Sequence, residues 1–322
     1  MLKDSYGRII DHLRISVTRL CNFSCIYCHE EGENYKHRDY ELSPVDIEKI
    51  VKVAARLGFR KVKITGGEPL IRKDIVEIVN RISRIDGIED LSLTTNGYLL
   101  SDYAEKLGDA GLMRVNVTLP ALDREKFKSI TGVDGLTEVL DGINAALEAG
   151  LKPLKINVPI LRRLNDRKEI WNIISYAKRL GVNVQLIEYH SPNPLSSNYF
   201  KFHTNFDHII EKLEKIAVNK VVRPLQARPI YLLDNRVKVE IVKPMFNHNF
   251  CRFCRKLRIT SDGKIKPCFF RNDDLIDLVQ VLNYSSDNLT YEEIERLIRK
   301  AVSIKEPYFK SSLLPFLHAK TA

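Results

Sequence analysis

The feature that most constrains this chain is a repeated alternation of short β-branched runs with longer amphipathic stretches. The runs are Leu13–Thr18, Lys61–Thr65, Leu91–Thr95, Val115–Leu119, Lys155–Ile160 and Val184–Tyr189. Between them lie helical patterns such as Pro44–Leu57, Ser101–Ala110, Leu136–Ala149 and Arg167–Leu180. Gly58, Gly111, Gly150 and Gly181 stand just past these four, where a helix ends most readily in a left-handed residue. Strand–helix–strand units with right-handed crossovers give a parallel sheet. Six of them predict an α/β fold, a partial (β/α)6 barrel of the TIM type. After about residue 215 the rhythm changes. Lys220–Val242 reads as short strands broken by Pro224, Pro229 and Asp234-Asn235, and a helix is expected near Tyr291–Ala301. The predicted division is a core of residues 1–216 and a C-terminal α+β extension of residues 217–322.

With 322 residues and 44% hydrophobic content, the chain can bury a full core. No apolar run approaches the length of a membrane span, and Met1-Leu-Lys-Asp-Ser lacks the features of a signal peptide. A cytoplasmic protein without membrane association is expected. Lys and Arg number 51 against 41 Asp and Glu, a formal charge of +10 that favours anionic partners. There is no nucleic-acid-binding motif and no long basic tract, so nucleic acid is not expected. A polyphosphate in a basic cavity accounts for the surplus, as does a solvated basic surface. The six cysteines fall into two groups of three. Cytoplasmic disulfides are uncommon, and clustered spacing points to metal or redox chemistry.

The first group, Cys21-x3-Cys25-x2-Cys28, follows directly on the first strand. Three thiolates at this spacing can bind three irons of a cubane and leave one iron open. A structural zinc site usually needs four protein ligands; His29 could supply the fourth, so zinc stays open on spacing alone. The segment Arg14-Ile-Ser-Val-Thr-Arg-Leu-Cys21-Asn-Phe-Ser-Cys25-Ile-Tyr27-Cys28 resembles the signature of the radical S-adenosylmethionine (SAM) family. Thr65-Gly66-Gly67-Glu68-Pro69 ends the second strand as the family's amino-group-binding motif does, and Thr94-Thr95-Asn96-Gly97 ends the third. The resemblance implies a radical SAM barrel with its active site at the mouth where these strand ends converge. It also implies a [4Fe–4S] cluster on Cys21, Cys25 and Cys28 that cleaves SAM to a 5′-deoxyadenosyl radical.

The second group, Cys251-x2-Cys254-x13-Cys268, repeats the arithmetic of three. A second cubane with an open iron follows unless His248 intervenes, and a zinc knuckle is the bland alternative. Lys256 and Arg258 fall between these cysteines, on one face of an extended segment, as suits a phosphate chain. No Walker A pattern occurs, so a phosphate site must be built from side chains. Lys63 and Lys155 lie on runs that otherwise read as buried, where an unpaired lysine is costly.

The whole chain, from about Tyr6 to Pro307, resembles the GTP 3′,8-cyclase family of molybdenum cofactor biosynthesis, in its archaeal branch. That resemblance implies two [4Fe–4S] clusters, on Cys21, Cys25 and Cys28 and on Cys251, Cys254 and Cys268, with SAM and GTP between them. The radical takes the ribose 3′ hydrogen and the product is (8S)-3′,8-cyclo-7,8-dihydroguanosine 5′-triphosphate. By position it assigns SAM contacts to Tyr27, Gly67 and Thr118. It assigns GTP contacts to Arg14, Lys63, Thr94, Lys155, Lys256, Leu257 and Arg258. It further implies an external electron donor and cyclic pyranopterin monophosphate synthase acting next, and it leaves room for a homodimer. The alternative is another radical SAM enzyme with an auxiliary cluster, such as a peptide maturase. Those often carry further cysteines, and this chain has none to spare. Five cations gathered around one mouth need a counter-anion, which a triphosphate provides and a peptide does not.

The chain departs from the family pattern at several places. Arg19-Leu20 stands for Asp-Arg, His29 for Met, Gln185 for an Arg on the sixth strand, Lys256 for the first Arg of a pair, and Thr118-Leu119-Pro120 for Ser-Leu-Asp. Many members end in Gly-Gly; here the last residues are Lys320-Thr321-Ala322.

Overall fold

The structure is a computed structural model that describes residues 1–33, 35–36, 40–191, 196–234, 237–283 and 287–308. Asn235 and the Lys320-Thr321-Ala322 tail lie outside the described residues. The first two-thirds of the chain alternate as the patterning predicts. They run β1 (His12–Ser16), α1 (Pro44–Arg56), β2 (Lys61–Thr65), α2 (Ile75–Ser83), β3 (Asp90–Thr95), α3 (Leu100–Asp109) and β4 (Arg114–Thr118). Then come α4 (Arg124–Thr131), α5 (Leu136–Glu148), β5 (Lys155–Ile160), α6 (Lys168–Leu180), β6 (Asn183–Glu188), α7 (Ser197–Phe202) and α8 (Asp207–Ile216). The remainder forms β7 (Asn219–Arg223), β8 (Arg228–Leu232), β9 (Lys238–Val242), α9 (His248–Arg252), β10 (Lys256–Ile259), β11 (Lys264–Lys266), β12 (Ile276–Asp277), α10 (Val279–Leu282) and α11 (Asp287–Ser303).

Local chemistry sets the punctuation. Ser43 caps α1 and Asp46 reaches back to it, a reciprocal box with Pro44 in the first turn. α6 stops at Gly181, whose φ of 68° places it in the left-handed region. Strands β1 to β6 pair in sequence, all parallel, in an open sheet ordered β12-β11-β10-β1-β2-β3-β4-β5-β6-β9-β8-β7. The helices bury their apolar stripes against this sheet, which is the partial barrel expected.

The residues after α8 do not form a sheet of their own. β9 adds to β6 in parallel and carries the antiparallel β8 and β7 beyond it. β10 adds to β1 in parallel on the opposite edge and carries β11 and β12. The two far edges of the core are thus both extended by late sequence. This brings the second cysteine group beside the first strand. Among the described residues no helix is long and apolar enough to cross a membrane.

The first cysteine loop leans on the core through one aromatic residue. Phe23, between Cys21 and Cys25, meets Phe127 of α4 and Tyr98 edge-on, at 6.0 and 5.9 Å between ring centroids. Phe127 is fully buried. Phe127→Ala is expected to cost about 3–5 kcal/mol in urea unfolding, from lost transfer energy and the cavity left behind. A loss below about 1 kcal/mol would show that this contact does not anchor the loop.

Candidate active site

Strand register, more than sequence proximity, assembles the site. In a parallel sheet, paired residues point to the same face, so a row of registered positions forms a row on the wall. Arg258, Arg14 and Lys63 are such a row on β10, β1 and β2. Thr94, Asn116 and Lys155 form another on β3, β4 and β5. Thr118, Asn157, Gln185 and Glu240 form a third on β4, β5, β6 and β9. All but Glu240 line one cavity of about 950 Å³. Tyr27, Gly67, Lys256 and all six cysteines line it as well. Of the residues to which the resemblance assigns SAM, GTP or cluster contacts, Leu257 alone is off the wall; its side chain is fully buried in the core.

The first cysteine loop is held from several sides. Ser24 and Ile26 donate backbone hydrogen bonds to Thr131 and Ile130 at the end of α4, at 2.9 and 3.0 Å. Asn96 donates through its side chain to Asn22 at 2.7 Å. The Gly-Gly-Glu-Pro segment supplies the rest. Gly67 and Glu68 donate backbone hydrogen bonds to Thr18 and Leu20 at 2.8 and 2.7 Å. A Cβ on Gly66 would come within 2.5 Å of the Thr18 carbonyl oxygen. One on Gly67 would come within 2.5 Å of the Arg19 carbonyl oxygen and closer still to that of Leu20. The glycines are therefore required by the approach of the cysteine loop, in addition to any exposure of their backbone to a ligand. Glu68, fully buried, accepts from Leu70 N–H, Thr95 Oγ1 and Asn96 N–H at 3.0, 2.7 and 2.6 Å. It ties the second strand end to the third. Burial pushes its carboxyl up to about 7 against those three donors.

The three thiols of the first group are free. Burial, with the neighbouring Cys28 and Cys21 adding to it and a hydrogen bond with Tyr27 opposing it, pushes Cys25 up to about 12. Burial and its neighbours raise Cys21 and Cys28 as well. Three thiolates this close are unfavourable without a positive centre among them, which cluster irons supply. Among the described residues no three His, Cys, Asp or Glu are placed to hold one metal ion. A cubane spreads its thiolates over separate irons, and a donor set of three thiols fits that demand. Cys251, Cys254 and Cys268 form an equivalent set. Burial would raise Cys254, but Lys305 and Lys256 outweigh it and hold the thiol low. His248 is stacked on Tyr308 at 5.3 Å and is not on the cavity wall.

The two cysteine groups are joined by a short bridge. His29, next to Cys28, packs on Phe269, next to Cys268, at 4.8 Å, and on His190 at 4.8 Å. The bridge turns through Glu30, Glu31 and Gly32, all with positive φ, and a Cβ on Gly32 would collide with the Phe269 carbonyl. The turn aims Glu31 inward. Its carboxylate takes Arg14 at 2.8 Å, Arg258 at 3.1 Å and the Thr65 hydroxyl at 2.9 Å. Burial opposes its ionisation, but the two arginines prevail and hold it at about 2.

A second carboxylate, Glu240, does the same at the other end. It takes Lys155 at 2.7 Å, Arg223 at 3.0 Å and Arg228 at 3.2 Å. The cations thus have two internal counter-anions, where the sequence alone left that role to a ligand. Lys63 is different. It has no hydrogen-bond partner among the described residues, and burial followed by Arg114 and Arg14 lowers its ammonium well below the ordinary range. Lys256 is lowered likewise by burial and by Arg228, and it donates to Gln226 at 3.1 Å. Glu31, Glu240, Arg223 and Arg228 escaped the sequence reading. One signal was available: Glu240 is a lone acid in the apolar run Val239–Val242.

A partial barrel whose first strand feeds a three-thiol loop is the architecture of a radical SAM enzyme. The Radical SAM superfamily matches residues 15–177, and the family described as Molybdenum Cofactor Synthesis C matches residues 182–311. Solved structures of similar fold include Streptococcus suis SuiB bound to S-adenosylmethionine (16% identity, TM-score 0.62, 95% of this chain and 77% of that one). Native anSMEcpe with bound AdoMet is another (17% identity, TM-score 0.60, 88% and 82%). Among curated proteins, a probable GTP 3′,8-cyclase of Thermococcus kodakarensis is 45% identical over 96% of this chain and 100% of its own length. One of Metallosphaera sedula is 44% identical over 95% and 96%. The chain belongs to the radical SAM family of these GTP 3′,8-cyclases.

Gly67→Ala is expected to keep the fold but displace the cysteine loop. After anaerobic reconstitution the variant should retain less iron than wild type, with unchanged circular dichroism. Full iron retention would show that the loop tolerates the added methyl.

Proposed function

We propose that this chain is a cytoplasmic GTP 3′,8-cyclase acting at the first step of molybdenum cofactor biosynthesis. The observation that supports it most is the opening of both three-thiol groups onto one cavity whose wall carries a row of half-buried cations. Cys21, Cys25 and Cys28 would hold one [4Fe–4S] cluster, and Cys251, Cys254 and Cys268 a second. When bound, the first cluster supplies the electron that cleaves SAM to a 5′-deoxyadenosyl radical, which takes the ribose 3′ hydrogen before C3′ joins C8 of guanine.

The chain's own part is binding and orientation. Tyr27, Gly67 and Thr118 line the cavity onto which the first thiol group opens and suit SAM. Arg14, Lys63, Lys155, Lys256 and Arg258 supply positive charge for a triphosphate, with Thr94 as a neutral donor between them. The backbone of Leu257 is the part of that residue able to serve, given its buried side chain. The catalytic core would end near residue 216 and the extension would begin at 217. Electrons come from an external donor, and the product passes to cyclic pyranopterin monophosphate synthase.

Iron analysis should find about eight irons per chain, from two cubanes. Cys25→Ala should abolish 5′-deoxyadenosine formation, whereas Cys268→Ala should spare it more than it spares cyclised nucleotide. Normal product from Cys268→Ala would remove the second thiol group from substrate handling. Arg258→Ala should weaken GTP binding by about tenfold to a hundredfold, the range for a charge-assisted contact, with iron content unchanged. Wild-type GTP affinity in that variant would place the triphosphate elsewhere.

A further inference from the structure

The cations just named come from core strands and from the segment between the last cysteines. Another pair reaches the same cavity from the β7–β8 hairpin, and no motif points to it. Arg223 ends β7 and Arg228 begins β8, directly opposite each other in the register. Like charges so placed are unfavourable in a hairpin. The loop between them is also irregular. Gln226 and Ala227 have φ of 63° and 47°, a left-handed pair without glycine, which persists only where the surroundings require it. The bend delivers Arg228 into the wall with its side chain 7% exposed.

Glu240 answers for part of this charge. One carboxylate faces Lys155, Arg223 and Arg228, and it also accepts from Gln185 Nε2 at 3.1 Å. Three cations on one anion leave a positive excess in a largely buried node, which is costly unless another anion arrives. The free donors point to the same conclusion. Arg228 uses Nε toward Glu240 and the Leu225 carbonyl, and among the described residues neither of its Nη nitrogens has a hydrogen-bond partner. Arg223 gives Nη1 to Glu240 and likewise keeps Nη2 without one. Both side chains line the cavity. An arginine fork with its terminal nitrogens unclaimed is suited to phosphate oxygens.

The position is equally telling. Gln185, where the family resemblance leads one to expect an arginine on the sixth strand, is the registered neighbour of Glu240. The charge absent from β6 is supplied two and three strands further along the same sheet, by Arg228 on β8 and Arg223 on β7.

We infer that Arg223 and Arg228 form a second arm of the phosphate site, held in readiness by Glu240, and that they stand in for the cation missing at Gln185. This rests on the assignment of the cavity to GTP. The competing account is an ion-pair network that merely fastens the hairpin to β9.

The test is equilibrium binding of GTP and of guanosine, the latter by competition, to reconstituted wild type, Arg228→Gln and Arg223→Gln. Each variant is expected to lose about tenfold to a hundredfold in GTP affinity with guanosine unchanged, so the preference for GTP over guanosine shrinks by that factor. Unchanged GTP affinity overturns the inference, and so does an equal fall for GTP and guanosine, which is the mark of a fastening role. If Arg228→Gln does not fold, Arg223→Gln, whose side chain is 26% exposed, decides by the same ratio. Wild type that binds neither ligand removes the GTP assignment itself and this inference with it.

Discussion

The structure depends on holding many positive charges together in a poorly solvated wall. Parallel pairing makes this unavoidable once the residues are chosen. Arg258, Arg14 and Lys63 sit in register on adjacent strands, so their side chains emerge side by side. Such a row would oppose folding if left bare, since each ion loses water and repels its neighbour. Two carboxylates make it tolerable. Glu31 enters from a strained turn near the first cysteine group, and Glu240 from the strand added beyond β6. Each is shared among cations rather than matched one to one, so the wall stays positive after internal pairing. Lys63 and Lys256 are paired with neither carboxylate among the described residues, and the remaining charge is least compensated there.

The same wall explains the course of the late sequence. A chain that simply appended a domain after β6 could place a second thiol group near only one edge of the sheet. Here the chain extends the β6 edge with β9, β8 and β7, then returns to the β1 edge with β10, β11 and β12. The return sets Cys251, Cys254 and Cys268 beside the strand that leads into Cys21, Cys25 and Cys28. Contact between His29 and Phe269 then closes the gap between the two groups.

Much of this was legible in the sequence. Strands β2 and β5 fall on the residues their β-branched runs define, and the other core strands are within a residue or two. The reason is that buried parallel strands read as short apolar runs between helices, whose ends are marked by glycine. The lysines at 63 and 155 were also legible, as charges in runs that otherwise read as buried. The counter-anions were not, for a physical reason. Glu240 meets Lys155 only because β9 pairs with β6 and β6 with β5, and no local pattern encodes that pairing. Glu31 depends on a left-handed turn at non-glycine residues, which propensity argues against. Leu257 shows a different limit: a motif names the residue, while strand alternation turns its side chain into the core and leaves only its backbone toward the neighbouring site residues.

Positive φ at Glu30, Glu31, Gln226 and Ala227 gives the last link between backbone and chemistry. One pair lies within the bridge between the cysteine groups and the other immediately precedes Arg228. In both places the irregular turn delivers a charged side chain to the cavity that a regular hairpin or helix would direct elsewhere. Strain of this kind is retained only where packing over-determines it. Gly32 pressed against the Phe269 carbonyl provides that packing at the first turn, and Gln226 bonded to Lys256 provides it at the second. The two turns thereby hold Glu31 against Arg14 and Arg258, and Arg228 against Glu240.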